Sequence, residues 1–189
     1  MPSWPGWPRG FTWPSSSYSS RVTSPVADPS ASFARPRIAA GALFAADNRV
    51  LIVRKSRGGS WDIPGGYVED AESPAAACRR ELREELGIDR QPKRLLVADW
   101  APADSEGDKI LYVFDCGRLG ADEARISFTD GELDRWQWVP VSQLADYVIP
   151  RLSRRLARAH EALAAGAFQY LEHGSPVLGE VAAARPRYG

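Results

Sequence analysis

The chain has 189 residues, enough for one domain with a sizeable core, and its 24 basic and 24 acidic side chains cancel. A balanced charge gives no general electrostatic case for nucleic acid or an anionic membrane surface, and no apolar run approaches the roughly 20 residues that span a bilayer. The two cysteines, Cys78 and Cys116, make no disulfide framework and fit a reducing, cytoplasmic setting.

Residues 1–36 stand apart in composition. They are rich in Pro, Ser and Trp, hold a single acidic residue, Asp28, and lack the apolar core of a secretory signal. They read as a disordered extension. A folded domain is expected over 37–174. Ile38 to Ala45 and Arg49 to Lys55 are apolar runs joined across Asp47-Asn48, a hairpin signal. Trp61 to Val68 leads into a helix. Beyond that helix, Arg94 to Trp100, Lys109 to Cys116 and Glu132 to Val139 read as strands, and Val141 to Leu144 as a short helical turn. Arg151 to Ala165 is a second helix, with Leu152, Leu156, Ala159 and Leu163 as its apolar stripe and Arg151, Arg154, Arg155 and Arg158 as a solvated basic ridge. His160 and His173 have no partner at metal-ligand spacing. Residues 175–189 read as a flexible tail.

The first helix is sharply bounded. Ser73 is a suitable N-cap, Pro74 suits the first helical position, and Gly87 sits where helices commonly stop. At about 100° per residue, Ala75, Cys78, Leu82 and Leu86 share one core-facing stripe. Glu81, Glu84 and Glu85 lie on an adjacent face. Three carboxylates near the negative end of a helix macrodipole work against stability. One reading is a solvated Glu/Arg face, with Arg80 pairing to Glu84. The other is a site for a hard divalent cation, which takes oxygen ligands.

The spacing runs Gly66, five residues, Glu72, seven residues, then Arg80-Glu81-Leu82-Arg83-Glu84-Glu85-Leu86-Gly87-Ile88. It resembles the signature of the Nudix hydrolases, G-x5-E-x7-R-E-U-x-E-E-x-G-U with U aliphatic, and no defining position departs from it. Pro64-Gly65-Gly66 ahead of it also looks like the family. The resemblance implies a mixed α/β (α+β) fold, an α/β/α sandwich around a mixed β-sheet. It implies a hydrolase that cleaves the pyrophosphate linkage of nucleoside diphosphate derivatives with Mg²⁺ or Mn²⁺. Glu81, Glu84 and Glu85, with the Gly65 carbonyl, would then be metal ligands. Glu72 would tie the motif loop to the helix and Arg80 would orient Glu84.

A general base is also required, and the family does not place it uniformly. Glu81 and Glu132 are the candidates, with Asp130 and Asp134 as weaker alternatives. Residues outside the motif match no subclass well: Pro102 falls one position short of the proline associated with ADP-ribose hydrolases. A (d)NTP or modified nucleotide is the expected substrate, with an NDP-sugar or ADP-ribose next. RNA 5′ ends and a non-catalytic nucleotide-sensing module follow. Trp61, Trp100 and Tyr67 are aromatic candidates for stacking on a base. The expected partners are small nucleotides, with no membrane, no DNA and RNA unlikely; a homodimer is left open.

Overall fold

The structure, a computed structural model, describes residues 33–177. Most of the N-terminal extension and the end of the C-terminal tail lie outside the described residues.

The hairpin is formed by β1 (Arg37–Ala46) and β2 (Arg49–Lys55). Ala46 faces Arg49 across the two-residue turn, and Asp47 adopts a left-handed φ of 57°, a conformation that Asp and Asn tolerate better than most residues. Short strands β3 (Trp61–Asp62) and β4 (Gly65–Tyr67) lead into α1 (Pro74–Leu86). Next come β5 (Arg94–Trp100), β6 (Lys109–Gly117), a 3-10 turn at Gly120–Arg125, β7 (Leu133–Pro140) and a 3-10 turn at Val141–Asp146. The described chain ends with α2 (Pro150–Ala165), β8 (Gln169–Glu172) and β9 (Ser175–Pro176). The sheet thus runs two residues beyond the expected boundary at 174, because Ser175 and Pro176 pair back on Glu172 and Leu171.

The strands lie in the order β3-β2-β1-β6-β5-β8-β9, with β4 added to β1 and β7 to β2. Pairing is mixed: β1 with β6 and β5 with β8 are parallel, the others antiparallel. Strand alternation sends side chains to two cores. Leu43, Val50 and Ile52 join Leu152, Leu156 and Ala159 of α2. Ala42, Phe44, Leu51 and Val53 join Cys78, Leu82 and Leu86 of α1. A sheet covered by a helix on each face is the expected sandwich.

Ala75 on α1 and Leu163 on α2 are half-buried and pack against the two cores, as their stripes predict, and Ala77, fully buried, widens the core face of α1. One assignment is corrected: Arg155, placed on the exposed ridge from sequence, is buried. Its Nε donates to Asp99 Oδ2 at 2.6 Å, and Asp99 on β5 is fully buried. The ridge therefore keeps Arg151, Arg154 and Arg158 alone.

Candidate active site

The site starts from the start and stop signals of α1. Ser73 Oγ accepts the Ala76 N–H at 3.2 Å, Pro74 opens the helix, and Gly87 closes it with a left-handed φ of 67°. These boundaries set which residues face the loop Ile63 to Tyr67. Two glycines there let carboxylates come against the backbone. Gly65, at φ 141°, packs so closely on β1 that a Cβ would lie 2.2 Å from the Ala40 carbonyl oxygen. Its N–H donates to Glu85 Oε2 at 2.8 Å. A Cβ on Gly66 would lie 2.3 Å from Glu81 Oε1. The diglycine is thus a flat bed for two glutamates.

Arg80 organises the opposite side. Its guanidinium donates to Glu72 at 3.1 Å through both Nε and Nη2, to Glu81 and Glu84 at 2.9 Å, and to the Tyr67 carbonyl at 3.0 Å. Glu72 is held below the usual carboxylate range, mainly by Arg80, and also accepts the Glu69 N–H at 3.1 Å. Glu72 therefore joins the motif loop to the helix. The expected Arg80 to Glu84 pair forms, although the strongest influence on Arg80 is Glu72.

Glu85 is only 6% exposed. Burial, opposed by the Gly65 N–H and reinforced by the charges of Glu81, Asp130 and Asp62, pushes its carboxyl up to about 8. Glu81 is also raised, first by burial, with Glu84 and Glu132 adding to the shift. Burial and mutual repulsion thus penalise these carboxylates as anions, a condition that a hard cation relieves. The donor set fits a divalent metal in that sense. As placed, no three His, Cys, Asp or Glu side chains among the described residues stand at ligand spacing. Arg80 draws Glu81 and Glu84 toward itself, while the Gly65 N–H holds Glu85.

The loop before β7 is tied to the end of α1: Ser127 N–H donates to the Leu86 carbonyl at 3.1 Å and Thr129 Oγ1 to the Glu84 carbonyl at 3.2 Å. This brings Asp130 within electrostatic reach of Glu85, and Glu132 within reach of Glu81. Asp134 is instead bound by Arg54 through two hydrogen bonds, 2.8 and 2.7 Å, on the exposed face.

On the far side of the diglycine lies a cavity of about 320 Å³, whose lining includes Gly65, Gly66, Tyr67, Asp62, Lys109 and Arg155. At its rim, Tyr67 Oη donates to Glu106 at 3.1 Å, and Lys109 pairs with the same carboxylate. Of the aromatic candidates, Tyr67 lines the cavity; Trp61 packs edge-on against Tyr147 at 6.0 Å, at the core of the α2 face. Sequence reasoning missed Asp62, Lys109 and Arg155. Asp62 stood four residues before Gly66, in the run leading to the motif, but the other two carry no local signal.

The model of the NUDIX domain matches residues 35–162. An RNA pyrophosphohydrolase of Roseobacter denitrificans is 30% identical over 107 residues, 48% of this chain and 66% of that protein. An 8-oxo-dGTP diphosphatase of Proteus vulgaris is 46% identical over 56 residues, 28% of this chain and 50% of that protein. The chain thus spans half to about two-thirds of the length of these relatives. Among solved structures, a MutT protein from Methanosarcina mazei Go1 aligns with a TM-score of 0.57 at 25% identity, covering 71% of this chain and 99% of that one. The complete motif, the sandwich that presents its glutamates and a family match over most of the chain lead to one conclusion: the protein belongs to the Nudix hydrolase family.

Proposed function

We propose that the protein is a metal-dependent pyrophosphohydrolase of nucleoside diphosphate derivatives, with a (d)NTP or modified nucleotide as substrate. The observation that carries this reading is the diglycine itself. One side receives Glu81 and Glu85, and the other opens into a cavity with Lys55, Lys109 and Arg151 in its lining. A pyrophosphate lying over the diglycine would meet the carboxylate cluster, while the group attached to it would enter the cavity.

Glu81, Glu84 and Glu85, with the Gly65 carbonyl, would hold Mg²⁺ or Mn²⁺, which would neutralise phosphate charge and acidify a bound water. Arg80 positions Glu81 and Glu84 by donating to both. Glu132 or Glu81 takes the proton from the attacking water. Glu132 is exposed, whereas Glu81 is already engaged by Arg80, so we assign the base to Glu132. A screen of nucleoside diphosphate derivatives with Mg²⁺ or Mn²⁺, with products identified by mass spectrometry, tests the reading. Absence of turnover across nucleotides, nucleotide sugars and ADP-ribose would overturn it.

RNA 5′ ends form a second reading, because several relatives carry the name RNA pyrophosphohydrolase. The expectation that RNA is an unlikely partner is therefore uncertain. The α2 ridge argues for small nucleotides: Arg154 donates to the His173 carbonyl and Arg158 pairs with Glu161. Steep salt dependence of RNA binding, lost on replacing Arg151 and Arg158, would favour RNA.

A further inference from the structure

Arg155 is 5% exposed and lines the cavity beside the diglycine. Its only hydrogen bond to a described residue is the one from Nε to Asp99. Both oxygens of Asp99 are in use, the second accepting the Gly174 N–H at 3.1 Å. Arg155 Nη2, in contrast, is buried and meets no acceptor among the described residues. Buried side-chain donors are nearly always satisfied, and an orphaned one on a side chain that lines a cavity points to a missing partner.

The chemistry of the missing partner follows from what Arg155 already has. Asp99 compensates its charge, and Asp62 adds a second carboxylate in the same cavity lining. What is lacking is a hydrogen-bond acceptor, not a negative charge. Arg151, which lines the same cavity and makes no side-chain hydrogen bond or ion pair to a described residue, is the better cation for a phosphate, though it feels the charge of Glu106. A cavity of about 320 Å³ lies at the small end for ligand pockets and suits a nucleobase more than a larger conjugate.

We propose that Arg155 is a specificity-determining residue, whose buried guanidinium donates to a carbonyl on the edge of the substrate base and rejects an amino group there. This rests on the nucleotide reading above and adds the class of base. A guanidinium is donor-only, so a keto base completes its hydrogen bonding, as arginine does with the O6 and N7 acceptors of guanine. An exocyclic amine at the same position would set donor against donor and leave both buried groups unsatisfied. Hypoxanthine, guanine and uracil are accepted, and adenine and cytosine are disfavoured.

The test uses the full-length protein and ligands that differ at one position. Binding of inosine, purine-riboside and adenosine monophosphates is measured by calorimetry, alongside kcat/KM for the three triphosphates. The expected order is inosine, then purine riboside, then adenosine, with about tenfold to a hundredfold between the ends. Arg155→Gln combined with Asp99→Asn removes the charged pair without stranding either partner, and the ratio should fall toward one. A purely structural role would weaken all three ligands alike, and so would a phosphate contact; either result overturns the proposal. So does equal binding by the unaltered protein, which decides the matter even where the double variant fails to fold. Monophosphate discrimination without triphosphate turnover would leave the base assignment standing and remove the hydrolytic reading.

Discussion

Replacing Glu85 with Gln separates the stability of the acidic face from its use. In the metal-free protein, Glu85 is held protonated up to about pH 8 by burial and neighbouring carboxylates, whereas in the unfolded chain it ionises near pH 4.5. The native state therefore binds the extra proton between these values. Its contribution to stability is complete below about pH 4.5 and is lost as the pH rises through 8. Linkage sets a ceiling of roughly 5 kcal/mol on that loss, and relaxation of the site reduces it to about 2 kcal/mol. In a domain of this size, that is a fall in melting temperature of roughly 4 to 8 °C between pH 5.5 and pH 8.5. Glu85→Gln keeps an acceptor for the Gly65 N–H and removes the titration. Its metal-free melting temperature should match the unaltered protein near pH 5.5 and exceed it near pH 8.5. Added Mg²⁺ should raise the melting temperature of the unaltered protein most strongly at the higher pH, and that of the variant far less. Turnover should drop by about two orders of magnitude or more. Calorimetric melting across pH, with and without Mg²⁺, measures all of this. If the variant keeps the unaltered protein's pH slope and metal response, Glu85 is a solvated surface group and the site assignment fails.

Gly66→Ala should fold, since Gly66 does not need a positive φ, but its Cβ would displace Glu81 from 2.3 Å. A fall in kcat of about tenfold or more with a nearly unchanged melting temperature is expected; normal kcat would show that the position of Glu81 is immaterial. Gly65→Ala, in contrast, drives a Cβ into the Ala40 carbonyl at 2.2 Å and should lower the melting temperature markedly in a thermal scan. Glu132→Gln should slow turnover about a hundredfold or more, whereas Asp134→Asn, whose carboxylate is bound to Arg54, should stay within about twofold. The reverse ranking in steady-state kinetics would move the base. Cys78 and Cys116 are fully buried with sulfurs 4.0 Å apart, and the Cys116 thiol is raised by Cys78 and by burial. Neither should react with a thiol reagent until the protein is unfolded, and rapid native labelling with loss of turnover would contradict that placement.

Much of the local structure was legible because its causes are local. Ser73, Pro74 and Gly87 mark the ends of α1 through capping and backbone preference. Asp47-Asn48 marks the hairpin through turn chemistry. The glutamates share a face because helix period alone places them there, and their spacing with Gly66 and Glu72 was enough to point to the family. The sequence also separated Arg80 from its neighbours as the residue able to reach Glu84, one turn along the helix.

Other features depended on distant segments meeting. Arg155 reads as one more arginine on a basic helix face until β5 supplies Asp99, 56 positions away. Glu85 reads as a surface carboxylate until the Ile63 to Tyr67 loop buries it and Gly65 donates to it across 20 positions. The cavity has no sequence signature, since its lining comes from β1, β2, β3, β4, β6, α2 and the loop at Glu106. Caps, turns and helix faces are set by neighbours a few residues apart. Desolvation, buried pairing and cavity shape are set by which segments the sheet order brings together, so only the tertiary structure decided which charged side chains are solvent-facing and which are held in place.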